Sequence, residues 1–282
     1  MKLCAFADEA SPMLLGQIAA LKRNGISYLE IRGVNGKNIR ELTRAEVKET
    51  AHILKESGIG VWSVGSPIGK IALDGDIAGH FDDFARILEA ADLLGAERIR
   101  LFSFFPVKGM EEKRTRALVT EYTDRFLSMT PEHIVLCHEN EKDIFGENTE
   151  NCVYLHETFP RLRAVFDPAN FVQCGVDTAA AWEALKPYVD YLHIKDAVAD
   201  GTVVPCGMGI GNVPAIVRDY LARGGEVMTV EPHLQDFTGL SALENGASVR
   251  FGISAYRDND ESFDAAVTAL KHILENGGKQ SW

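Results

Sequence analysis

The sequence predicts a single (β/α)8 barrel, a TIM barrel occupying residues 1–282 as one domain. Three observations carry that expectation. Short apolar runs rich in β-branched residues alternate with longer segments of helical periodicity, at about 30 residues per unit, as parallel sheets with helical crossovers require. Eight such units can be counted, which favours closure over an open doubly wound sheet. The first strand-to-helix turn reads "ADEASP", without the G-x-G-x-x-G of an open dinucleotide-binding sheet.

The expected strands are 3–7 (LCAFA), 28–32 (YLEIR), 60–64 (GVWSV), 98–104 (RIRLFSF), 133–139 (HIVLCHE), 162–167 (LRAVFD), 190–194 (DYLHI) and 226–231 (EVMTVE). The first helix lies within 12–25, with apolar residues at 14, 15, 18, 19 and 21 and a stop at Gly25. The second, 43–58, opens on Thr43 with Glu46 three residues on, a capping box. The third, 80–95, stops at Gly95, and later helices fall at 111–129, 149–158, 178–187, 212–223 and 261–275. The stretch 232–260 fits no element, and after a last barrel strand it would overhang the catalytic end.

Composition narrows the function classes. With 46% hydrophobic residues and no apolar run near the roughly 20 residues of a membrane span, no membrane partner is expected. A net charge of −12 argues against a protein built to hold a polyphosphate backbone, so no nucleic acid is expected either. Five scattered cysteines without a C-x-x-C pair suggest neither a disulfide framework nor a thiolate zinc site, and "MKLCAFADEASP" breaks off too early for a secretory signal. The expected location is cytoplasmic.

Catalytic groups of such barrels sit where strands end. Strands five to eight end in "CHEN", "FDPAN", "HIKD" and "VEPH", which places Glu139, Asp167, His193 and Glu231 at four consecutive strand ends. Three carboxylates and an imidazole suit Mn²⁺, Mg²⁺, Co²⁺ or Zn²⁺. Acids at strand ends also cap helices, and spacing alone leaves both roles open. Lys195 and Asp196 can pair with each other at the rim or touch substrate. His138, alternating with Glu139, should turn outward as a packing residue. "GMGIG" (207–211) has the composition of a phosphate-cradling loop but is a weak signal alone. Trp62, Phe102, Phe104 and Phe105 read as barrel core.

Taken in order, "HEN", "FDPAN", "HIKDA", "VPCGMGIGNV" and "VEPHL" resemble the xylose-isomerase-like barrel superfamily of sugar isomerases and epimerases, inosose dehydratases and apurinic endonucleases. The motifs span the C-terminal half; the N-terminal half is similar mainly in rhythm. The resemblance implies one divalent metal on Glu139, Asp167, His193 and Glu231. It also implies a small sugar or polyol-derived substrate, with Glu139 and Glu231 as the acid/base pair of a proton transfer through an enediolate. Lys195, Asn170 and Asp196 are the expected substrate contacts, and self-association is left open.

Two departures refine this. The epimerases commonly carry a histidine three residues after the aspartate and an arginine shortly after the metal histidine; here stand Asn170 and "KDAVADG". Where the trinuclear endonucleases carry extra ligands this chain reads "VGSPIG", "FSFF" and "PCGMGIG", so the trinuclear site cannot form and phosphodiester cleavage becomes a remote expectation. A metal-dependent isomerase or epimerase is the expectation. An inosose-dehydratase-like lyase on the same metal, or a sugar-binding barrel without turnover, are the alternatives.

Overall fold

A computed structural model describes residues 1–240 and 256–277. Residues 241–255, the centre of the stretch expected to overhang the catalytic end, lie outside the described residues. The eight strands are β1 (Lys2–Ala5), β2 (Tyr28–Ile31), β3 (Gly60–Gly65), β4 (Arg98–Leu101), β5 (Val135–Glu139), β6 (Arg163–Phe166), β7 (Val189–Ile194) and β8 (Val227–Val230). Each pairs in parallel with its neighbours in chain order, and β1 pairs with β8 through Lys2↔Val227 and Ala5↔Val230. The sheet is therefore a closed eight-stranded barrel.

Around it run α1 (Leu14–Arg23), α2 (Arg44–Glu56), α3 (Ile77–Leu94), α4 (Glu112–Met129), α5 (Thr149–Thr158), α6 (Pro168–Gln173), α7 (Thr178–Leu185), α8 (Val213–Ala222) and α9 (Asn259–Glu275). The capping box forms: the Thr43 side chain accepts from the Glu46 N–H, and Glu46 reaches back to the Thr43 N–H. Gly95 ends α3 in the left-handed region at φ 70°. Two features differ from expectation. The short α6 has no counterpart in the sequence reading, because six residues opened by Pro168 carry too little periodicity to register. The fourth strand stops at Leu101 rather than 104, since Phe104 takes φ 68°, incompatible with a continuing strand.

The aromatic residues divide between layers. Phe104 stacks on Phe126 of α4, so it belongs to the helical layer outside the barrel. Trp62 is half-buried and packs edge-on against Tyr191, beside an interior cluster of Cys4, Cys137, Val165 and Val227. The side chain of His138 packs against the ring of His156 on α5, at 5.7 Å between centroids.

His156 is buried, with Nδ1 3.1 Å from the Leu162 carbonyl oxygen, and burial holds its imidazole down to about 4. An unfolded chain binds that proton near pH 6.5, so this group's contribution to stability is present above pH 6.5 and is lost as pH falls toward 4. A shift of this size corresponds to about 3 kcal/mol, and burial lowers His138 as well. Urea midpoints should therefore drop steeply between pH 7 and pH 5, and His156→Gln should flatten that slope.

Candidate metal centre

Local chemistry at the strand ends sets the geometry. Glu139 is the last residue of β5, and Asp167 follows β6 as the N-cap of α6, where its Oδ1 accepts the Asn170 N–H at 3.0 Å. Asn140 clips the two strand ends together: its Nδ2 donates to the Asp167 carbonyl at 2.8 Å, and its Oδ1 accepts the Asp167 N–H at 2.9 Å. His193 lies within β7 and Glu231 follows β8 directly. The four candidate ligands each offer an atom within 4.8 Å of the others, and all four are buried.

His193 Nδ1 stands 2.9 Å from Glu139 Oε1 and 3.5 Å from Glu231 Oε2. Lys195 Nζ reaches Asp167 Oδ2 at 2.8 Å and Glu231 Oε2 at 3.0 Å. Arg100 Nε lies 3.2 Å from Glu139 Oε2, and Asn170 Nδ2 lies 3.4 Å from Glu139 Oε1. Burial pushes the Asp167 carboxyl up, Lys195 pulls it back, and Glu231 and Glu139 push it again, leaving it at about 7. Burial also opposes the charge of Glu231, yet Lys195 and the two histidines His193 and His233 hold it well below the usual carboxylate range. His193 would lose its proton to burial, but Glu139 and Glu30 hold it well above its ordinary value.

Glu231 and Glu139 thus stand close enough to Asp167 to raise its carboxyl, and such a convergence of carboxylates suits a divalent cation. The donor set of three carboxylates and one imidazole fits Mn²⁺, Mg²⁺, Co²⁺ or Zn²⁺. Among the described residues the buried Asn170 Oδ1 has no hydrogen-bond partner, which leaves a further acceptor beside the cluster.

Lys195 and Asp196 do not pair. Asp196 is buried beneath the glycine loop, where its two oxygens accept the N–H groups of Ala197, Gly207, Gly209 and Gly211 at 2.8 to 3.0 Å. Both Asp196 oxygens are thus engaged inside the protein, and Gly207, Gly209 and Gly211 of the loop spend their N–H donors on this internal carboxylate.

Sequence reasoning missed Glu30 inside β2, Arg32 just after it and the acids before α1. Arg32 donates to both oxygens of Asp8 at 2.9 and 3.0 Å, to Glu9 at 3.0 Å and to Glu231 Oε1 at 3.1 Å. Glu9 in turn accepts the His233 N–H at 2.6 Å. The acid cluster of Glu9 and Glu231 near His233 therefore already holds a guanidinium. Glu30, also from β2, touches His193 from the other side. The available signal was two charged residues, Glu30 and Arg32, at alternate positions of an otherwise apolar strand. A cavity of about 360 Å³ opens beside this network, with Asp8, Arg32, Lys70 and Phe237 in its wall.

A closed parallel barrel with a buried acid and imidazole cluster at the C-terminal ends of its strands defines the class, a (β/α)8 barrel with a candidate metal centre. More particularly, the chain belongs to the xylose isomerase-like TIM barrel family, whose model matches residues 18–257. No curated protein matches the sequence. Solved structures share the fold at low identity. A probable 3-DHS dehydratase, AsbF, from Bacillus anthracis superposes with a TM-score of 0.71 at 15% identity, over 96% of this chain and 99% of that one. The IolI protein with a bound zinc atom gives 0.72 at 15% identity, over 98% and 99%. The 3-keto-D-glucoside 4-epimerase YcjR from E. coli gives 0.67 at 15% identity, over 93% and 94%. Among the described residues, no helix is long and apolar enough to cross a membrane.

Proposed function

We propose that the chain is a metal-dependent isomerase or epimerase acting on a small sugar or sugar derivative. The carrying observation is the convergence of Glu139, Asp167, His193 and Glu231, from four consecutive strand ends, within 4.8 Å. These four residues would hold one divalent ion. Such an ion supplies Lewis acidity toward adjacent carbonyl and hydroxyl oxygens. The substrate enters from the cavity beside Arg32. Glu231 is held ionised by Lys195 and its histidine neighbours and serves as a proton acceptor at carbon, while Glu139 works from the opposite side of the cluster. Lys195 and Asn170 contact substrate oxygens, and Arg32 keeps Glu231 in register.

One observation favours a second reading. Lys195 Nζ sits between Asp167 and Glu231 and is a positioned proton donor, which suits departure of a β-hydroxyl and hence a dehydratase. The test is metal analysis of the purified protein, then incubation with a panel of ketoses and keto-sugars in D₂O. Isomerisation or epimerisation incorporates deuterium into a product that is otherwise of unchanged mass; dehydration removes one water. A protein that binds none of the four ions and exchanges no carbon-bound proton sinks the proposal.

A further inference from the structure

The carboxylate of Glu30 is fully buried inside the barrel, and nothing assigned so far accounts for it. It comes from β2, opposite the strands that carry the candidate ligands. Its Oε1 accepts the Tyr191 hydroxyl at 2.8 Å, and its Oε2 accepts the Thr229 hydroxyl at 2.7 Å and lies 3.2 Å from His193 Nε2. Tyr191 is itself fixed by Ser63, 3.2 Å away. Three donors from β7 and β8 therefore meet one carboxylate, which cannot turn without leaving one of them unsatisfied.

The ring of His193 has no room to move sideways. Phe6 packs on it at 5.2 Å and 83°, and Tyr191 at 5.5 Å and 63°. What packing leaves undetermined is which ring edge faces the ligand cluster and which nitrogen keeps a proton. Flipping the ring would put carbon where each nitrogen stands and break the contacts to Glu139 and Glu30 together.

We propose that Glu30 is the positioning residue of this centre: by engaging His193 Nε2 it holds the ring with Nδ1 turned toward Glu139 and Glu231. The inference rests on the reading that these residues hold a divalent ion. A metal-binding imidazole needs one bare nitrogen, and a carboxylate on the other nitrogen fixes the ring and raises its basicity. Glu30 thus supports the cluster while contributing no ligand to it.

The experiment measures Mn²⁺ affinity by chelator competition for the wild type, Glu30→Gln and Glu30→Asp, alongside thermal melts and the His193 Nε2–H resonance of the Zn²⁺-loaded proteins. Glu30→Gln keeps shape and removes the charge; its Mn²⁺ dissociation constant is expected to rise about ten- to a hundredfold, with the resonance displaced. Glu30→Asp keeps the charge and withdraws it by one methylene, so several-fold weakening is expected, and it serves where the glutamine variant fails to fold. Either folded variant binding Mn²⁺ as the wild type does, with the resonance unchanged, overturns the inference, as does a lower melting temperature with wild-type affinity. A wild type that binds none of Mn²⁺, Mg²⁺, Co²⁺ and Zn²⁺ overturns the metal-centre reading and this inference with it, so the two failures are distinguishable.

Discussion

Glu231→Gln is expected to slow exchange of the substrate's carbon-bound proton with solvent by about 10²- to 10⁴-fold, the range associated with a positioned acid or base. The change is informative because the fold should survive it. Arg32 keeps both oxygens of Asp8 and one of Glu9, and Lys195 keeps Asp167, so neither buried cation is stranded. A glutamine fills the same space, and its carbonyl can still accept one of the two hydrogen bonds. What disappears is the negative charge on which Lys195, Arg32 and the histidine pair converge. Deuterium incorporation in D₂O, with Mn²⁺ content measured on the same sample, separates the roles. Lost exchange with retained metal identifies Glu231 as the proton acceptor; loss of both makes its contribution to metal binding the larger one; retention of both removes it from the centre.

The strand ends were legible because period-2 strands closed into a barrel deliver their last inward residue to one place, so linear spacing near one βα unit translates into proximity. Glu139, Asp167, His193 and Glu231 needed no more than that. Lys195 and Asp196 show where the same rule is harder to apply. Neighbours along an extended chain face opposite ways, so Lys195 turns into the cluster while Asp196 turns under the glycine loop. Adjacent opposite charges suggested a pair that the backbone does not permit. Glu30, Arg32 and Arg100 were hidden for another reason. An apolar run containing a charge still reads as a strand, and only the barrel shows that these charges point inward and find partners there. The six-residue α6 was missed because it is too short to show a helical period, although its N-cap, Asp167, is the same aspartate that the cluster uses.

Lys195→Met is expected to separate stability from chemistry. In the metal-free protein the ammonium is the only fixed positive charge within salt-bridge reach of Asp167 among the described residues, and both side chains are buried. Breaking a buried pair by removing one partner costs about 3–5 kcal/mol, because Asp167 and Glu231 lose the ammonium that both of them face. Asp167, already at about 7, would then take up a proton at neutral pH. Methionine matches the length of the lysine and adapts to irregular space, so the loss is electrostatic rather than steric. The metal-free variant should melt roughly 6 to 10 °C lower. Saturating Mn²⁺ should narrow that gap, since a divalent ion neutralises the same carboxylates and stabilises only the folded state. Turnover should nevertheless stay low in the metal-loaded variant, because the proposed contact to substrate oxygen is gone. Scanning fluorimetry with and without Mn²⁺, paired with product assays, decides it. A gap that Mn²⁺ leaves untouched means that the carboxylates around Lys195 are not the ones that hold the ion. Full turnover in the variant means that Lys195 is a counter-ion alone, and the proton donor of the dehydratase reading must then be sought elsewhere.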